Sequence, residues 1–242
     1  YDEIMPAWDW RRLPGTTIEQ GTYSLKPTAD WGVYGTSSHA GGVSDGLNGA
    51  AAFSYSRLGV SAKKSWFFLG DAMIALGAAI NAPTSTSPVL TTLNQTRLSG
   101  PVTRRDAGGT STHTGTATPS GLAWVHHDGT GYFFPSPVSS GTVSATTQTG
   151  NWQSINSSFS ADPVNVDVFS LHLNHGTAVS GGSYAYVIAP GIEAGGMEAF
   201  PLANYQILRN DATIQAVKDQ AAGITCANFW AAGGVDGISS DS

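Results

Sequence analysis

The segment Lys63–Gly77 constrains this chain more than any other. Trp66-Phe67-Phe68-Leu69 is an apolar run too short for a typical helix, Gly70-Asp71 interrupts it, and Met73-Ile74-Ala75-Leu76 resumes it at once. That pattern predicts two buried strands around a tight turn. Comparable signals recur along the chain, at 50–55, 89–98, 122–126, 131–134 and 184–188. Asp128-Gly129, between two of them, is a strong hairpin-turn dipeptide. Val166, Val168, Leu171 and Leu173 alternate with polar neighbours, with one irregularity at Phe169-Ser170. The stretch up to Pro27 reads as loop, anchored by Trp8 and Trp10 with a turn at Pro14-Gly15, and the Ser/Thr/Gly-rich stretch 108–121 reads as an exposed loop. Turn signals at this spacing predict an all-β fold, a two-layer antiparallel β-sandwich.

Composition supports that reading and narrows the function. Thirty glycines and 12 prolines in 242 residues favour turns over long helices. With 40% hydrophobic residues and seven tryptophans the chain has enough apolar surface to fold. A net charge of −6 argues against nucleic acid as partner, which requires a basic face. No apolar run approaches the roughly 20 residues that a helix needs to span a bilayer, so no membrane partner is expected. Cys226 is the sole cysteine, which excludes an internal disulfide and a cysteine metal cluster. Two sequons begin at Asn94 and Asn156 and permit glycosylation. Tyr1 in place of Met suggests a processed chain or a fragment.

Few residues carry an obvious chemistry. His126-His127 would point to opposite faces of a strand, so a shared metal ion is disfavoured and a structural role expected. His172 and His175, three apart, face opposite ways for the same reason. The carboxylates are scattered, no pair spaced as a glycosidase couple, and no nucleophile elbow, nucleotide loop or zinc motif occurs. Of three basic pairs, Lys63-Lys64 and Arg104-Arg105 read as solvated surface charge. Arg11-Arg12 lies in an irregular segment between the tryptophans and the Pro-Gly turn, where binding residues often sit. Trp31, in a polar stretch ahead of Gly32-Val33-Tyr34-Gly35, is the tryptophan least suited to a core.

Several motifs occur together in a fixed order: the Lys63–Gly77 hairpin, Trp8-Asp9-Trp10 with Leu13-Pro14-Gly15-Thr16-Thr17, Gly41-Gly42-Val43-Ser44-Asp45-Gly46, Trp124-Val125-His126-His127-Asp128-Gly129, Asn174-His175-Gly176 and Ala227-Asn228-Phe229-Trp230. This set resembles polysaccharide lyase family eight, which includes hyaluronate, chondroitin AC and xanthan lyases, over nearly the whole chain. The resemblance implies a large supersandwich of galactose-mutarotase-like type, a single domain over 1–242, and a strand at 214–217 where spacing alone also permits a helix. It implies β-elimination beside a uronic acid in a secreted enzyme. In the family an α/α-toroid domain carries the Asn, His, Tyr and Arg of that chemistry. The toroid and a further C-terminal β domain are read as absent, so the chain alone is expected to be inactive. No catalytic residue, metal ligand or cofactor is assigned. A cleft aromatic from the β domain is expected at Trp31, with Arg12, Tyr34 and His39 as its neighbours on a polysaccharide or oligosaccharide. The other partner expected is a toroid domain or chain. The alternative is a free-standing, lectin-like carbohydrate-binding protein without catalysis.

Overall fold

The computed structural model describes residues 4–21, 37 and 39–241. The chain runs through β1 (Thr17–Glu19), β2 (His39–Ser44), β3 (Gly49–Arg57), β4 (Val60–Leu69), β5 (Ala72–Ala82) and β6 (Val89–Arg97). It continues through β7 (Val102–Asp106), β8 (Gly109–His113), β9 (Gly115–Ala117), β10 (Leu122–His127), β11 (Thr130–Val138) and β12 (Gly141–Gly150). β13 (Val164–Asn174), β14 (Val179–Pro190), β15 (Tyr205–Asn210), β16 (Ile214–Asp219) and β17 (Ile224–Phe229) follow. A short hairpin, β18 (Gly233–Val235) and β19 (Ile238–Ser240), comes last.

Two antiparallel sheets stack as expected. One has nine strands in the order β2-β3-β4-β5-β14-β11-β10-β7-β8, the other five in the order β1-β6-β13-β12-β9. A third sheet, β15-β16-β17, packs on the far face of the nine-stranded one. The predicted hairpin forms with Leu69 opposite Ala72. Gly70 takes φ 55°, at the loop position where a type II′ turn requires a left-handed residue. Asp128 and Gly129 both take positive φ, 47° and 68°, between paired His127 and Thr130, which is the type I′ pattern.

The apolar run of β5 lacks alternation because both of its faces are covered. Ala75 and Ile80 join Phe169, Leu171, Tyr132, Phe134 and Tyr186 in the core between the two large sheets. Ile74 and Leu76 face the other way, onto Phe67, Leu69 and Val217 under the third sheet. Each such fully buried side chain contributes about 1.5–3 kcal/mol. A continuous apolar strand is the signature of a sheet buried on both sides.

On β13 the valines and leucines divide between faces. Phe169, Leu171 and Leu173 enter the central core, whereas Val166 and Val168 meet Ile4 and Ala7 of an N-terminal arm on the outer face of the five-stranded sheet. The ladder irregularity lies at Leu171/His172, opposite Asn94 and Thr92, not at Phe169-Ser170. The stretch 108–121 is not simply loop. It contributes β8 and β9, edge strands whose Thr110, Ser111 and Thr112 are exposed, so hydroxyl residues give no apolar alternation to read. Residues 214–219 form strand β16 rather than helix.

Polar bonds as well as apolar contact dock the third sheet. Gln215, fully buried, accepts from Ser65 Oγ at 2.6 Å and from Trp230 Nε1 at 3.2 Å, and donates to Asn210 Oδ1 at 2.9 Å. Asn210 in turn donates to the carbonyls of Gly77 and Tyr184 on the nine-stranded sheet.

Candidate functional site

The arm that carries Trp8, Trp10 and Arg12 runs across the outer face of the five-stranded sheet and feeds into β1. Gly15 N donates to Thr92 O at 2.8 Å and Thr92 N to Thr16 O at 3.0 Å, which seats the arm beside β6. Trp8 and Trp10 meet edge to face at 5.7 Å, and Trp10 stays 36% exposed. Arg12 pairs through Nε with Asp9 Oδ2 and with Gln20 Oε1, both at 3.2 Å, with a third of its side chain exposed. Both contacts run through Nε, on one edge of the guanidinium. A guanidinium fork can hold a carboxylate bidentately.

Below the arm lies an internal polar cluster around Lys64, a residue that the sequence reading placed at the surface. Lys64 is only 3% exposed, because it shares its strand face with Val60, Ala62 and Trp66. Its ammonium donates to Gly15 O and, at 3.1 Å, to Thr17 Oγ1, with the rings of Tyr55, Trp66 and Tyr184 around it. The cluster continues from Thr17 through Thr91 to His175 Nε2 by hydroxyl contacts of 2.9 and 2.8 Å. Burial lowers Lys64 to about 8. Burial, with Lys64 nearby, lowers His175 to about 4.

Adjacent Lys63 points to the opposite face. Its ammonium sits 4.8 Å over the Trp230 ring and donates to Ser54 Oγ. His39, the first residue of β2 and exposed, meets the same indole edge to face at 6.0 Å. Lys63, Trp230 and His39 thus make a second cation-and-aromatic surface, which the sequence reading did not mark as a set. Strand alternation from Lys64 would have revealed it.

Of the four expected contact residues, only Arg12 and His39 fall among the described residues. Trp31 and Tyr34 lie outside the described residues. Arg12 belongs to the arm on the five-stranded sheet, and His39 to the edge of the nine-stranded sheet beside the third. The two are separated in sequence by the stretch that holds Trp31 and Tyr34.

The remaining candidates are structural. Both His126 and His127 are buried and face opposite ways: His126 Nε2 bonds Ile192 O, while His127 accepts from Ser99 N and stacks on Phe169. His172 lies at the five-stranded sheet's outer face, lowered to about 4 by burial and by Arg12. Arg104 pairs with Asp106, and Arg105 with Glu198. Glu19 accepts from Thr86 N and Ser87 N, both at 2.9 Å. Asp45 caps its turn by accepting from Leu47 N and Asn48 N. The Asn94 amide is tied inward to Tyr132, whereas Asn156 is exposed. Among the described residues no three His, Cys, Asp or Glu side chains group closely enough to hold a metal ion.

Comparison with known proteins gives this geometry a context. Residues 1–200 match the family model described as polysaccharide lyase family 8, super-sandwich domain, and residues 206–242 match that of the family's C-terminal beta-sandwich domain. Chondroitinase-AC of Pedobacter heparinus is 37% identical over 96% of this chain and 33% of its own length. Xanthan lyase of a Bacillus species is 34% identical over 95% of this chain and 26% of its own. A solved chondroitinase AC lyase, studied in complexes with oligosaccharide, superposes with a TM-score of 0.88 at 36% identity, over 99% of this chain and 36% of that one. The chain spans about a third of the length of the first of these curated relatives.

Proposed function

The chain belongs to polysaccharide lyase family 8, and from that premise we propose that it forms the β part of a secreted enzyme that cleaves a uronic-acid-containing polysaccharide by β-elimination. The observation that carries the reading is the match of residues 1–200 to the super-sandwich domain, with relatives named for chondroitin, xanthan and hyaluronate cleavage. In such an elimination the proton at C5 of the uronic acid is removed once its carboxylate is neutralised, and the leaving oxygen is then protonated. The proposed part of this chain is to bind rather than to move protons. Arg12 offers Nη1 and Nη2 to a uronate carboxylate, Trp31 offers an indole face to a pyranose, and Tyr34 and His39 line the same path. The proton-transfer groups come from an α/α-toroid domain on the same or another chain.

The test uses hyaluronan, chondroitin and xanthan, with unsaturated uronate followed by its absorbance. The 242-residue chain alone is expected to give no turnover, and addition of a family toroid domain to produce it. Clear turnover by the pure chain contradicts this division of labour. In calorimetric titration with a uronic oligosaccharide, Arg12→Ala is expected to weaken binding by about 1.5–3 kcal/mol, the scale of a hydrogen bond to a charged group. Trp31→Ala is expected to weaken it by about 1–3 kcal/mol with little change in melting temperature. Unchanged binding in a folded variant removes that residue from the site.

A further inference from the structure

One side chain holds the turn that presents Arg12. Gln95, on β6 and 1% exposed, directs its side-chain hydrogen bonds to the arm's backbone. Its Oε1 accepts from Asp9 N at 2.9 Å, and its Nε2 donates to Asp9 O and Arg12 O, each at 3.0 Å. Both ends of the turn are thereby fixed, and Arg12 N closes it by donating to Asp9 O at 2.8 Å. Asp9, held in place, accepts from Arg11 N at 3.0 Å and pairs with Arg12 Nε. One buried amide thus fixes the turn from which the guanidinium projects, and Gln20 Oε1 meets the guanidinium itself at Nε.

Packing does not require an amide here. Further along the same outer face, Val166 and Val168 cover the sheet under Ile4 and Ala7 with apolar contact alone. An amide supplies two donors and an acceptor from one planar group. A carboxylate in its place loses both donors, and a thioether leaves three backbone groups without their partner.

We propose that Gln95 is a positioning residue for carbohydrate recognition: it sets the Asp9–Arg12 turn so that Nη1 and Nη2 of Arg12 meet the carboxylate of a uronic acid residue. This rests on the reading of Arg12 given above. Gln95 itself touches no sugar. Its effect is confined to ligands that carry a carboxylate, which a purely structural role would not select.

The experiment combines Gln95→Met, Arg12→Ala and the double variant in the full chain, with Gln95→Glu as a same-shape control that keeps the acceptor. Each is titrated with a uronic oligosaccharide and with a neutral oligosaccharide of equal length. Exchange of the Arg12 Nε–H is followed by NMR without ligand. Gln95→Met is expected to speed that exchange and to weaken uronic binding, each about tenfold, as for one lost hydrogen bond to a charged group. Neutral binding should be unchanged, and the variant should add nothing in the Arg12→Ala background, since residues acting through one another are non-additive. Gln95→Glu should fall between. Unaltered exchange, equal losses for both ligands, or additive losses overturn the proposal. Faster exchange in Gln95→Met together with unchanged binding in Arg12→Ala overturns the assignment of Arg12 to the carboxylate, not the hold of Gln95 on it.

Discussion

At the scale of single residues, this sandwich buries ionisable groups that have no ion-pair partner among the described residues. Lys64 faces three aromatic rings and two oxygen acceptors, and His172 and His175 are both lowered to about 4 by burial, each with a cation nearby. The sign of the consequence follows from linkage. Between pH 6.5 and 4 the unfolded chain binds protons at these histidines that the folded chain refuses. Their stabilising effect is complete above pH 6.5 and is lost as pH falls towards 4. Denaturant unfolding across that window should show stability falling by up to about 1.4 kcal/mol per pH unit for each histidine. His172→Asn and His175→Asn should flatten the slope, and a flat profile in the parent chain contradicts the burial account. The pair Lys63-Lys64 shows what the sequence carried at this scale. Adjacent strand residues take opposite faces, so Lys64 had to share a side with Val60, Ala62 and Trp66. Charge argued for solvent, and periodicity, the better guide, argued for the interior. The support that Gln95 gives to Arg12 had no such signal, because it joins residues far apart in sequence through backbone atoms that composition does not describe.

At the scale of elements, legibility followed turn chemistry and apolar contrast. The hairpins at Gly70-Asp71 and Asp128-Gly129 were readable because two-residue loops require left-handed φ that few residues adopt. The edge strands β8 and β9 were not, since Ser, Thr and Gly on both faces look the same as a loop. Strand β16 was not legible from spacing, because Ile214 and Val217, three apart, suit a helix and take opposite faces of a strand, and its docking depends on Gln215 finding Ser65 across the interface with Asn210 and Trp230 beside it. Gln215→Leu tests that dependence. It removes four hydrogen bonds at a fully buried position, leaving Ser65 and Trp230 without that partner. A loss of about 2–4 kcal/mol is expected. Hydrogen exchange should accelerate first in β15–β17 while β10 and β11 keep their protection, and uniform acceleration would show that the network does not hold this sheet specifically.

At the scale of the molecule, the core beneath the third sheet and the core between the two large sheets share strands β4 and β5. Residues 206–242 match a separate family model, yet their first strands complete a core of the residues before them. Calorimetry should therefore give one transition for the 242-residue chain, with calorimetric and van't Hoff enthalpies in agreement. Two resolved transitions would mean that the third sheet unfolds by itself. The order of the nine-stranded sheet has a temporal consequence. β14 lies between β5 and β11, pairing Leu76 with Ala185 on one side and Phe133 with Val187 on the other. As the chain emerges from the ribosome, β5 is complete about a hundred residues before its neighbour exists. Throughout that interval one of the most apolar strands presents an open edge, the kind of template on which unrelated chains pair. The last strand into the middle of the sheet is its keystone, and the hazard of making this protein is concentrated in the wait for it.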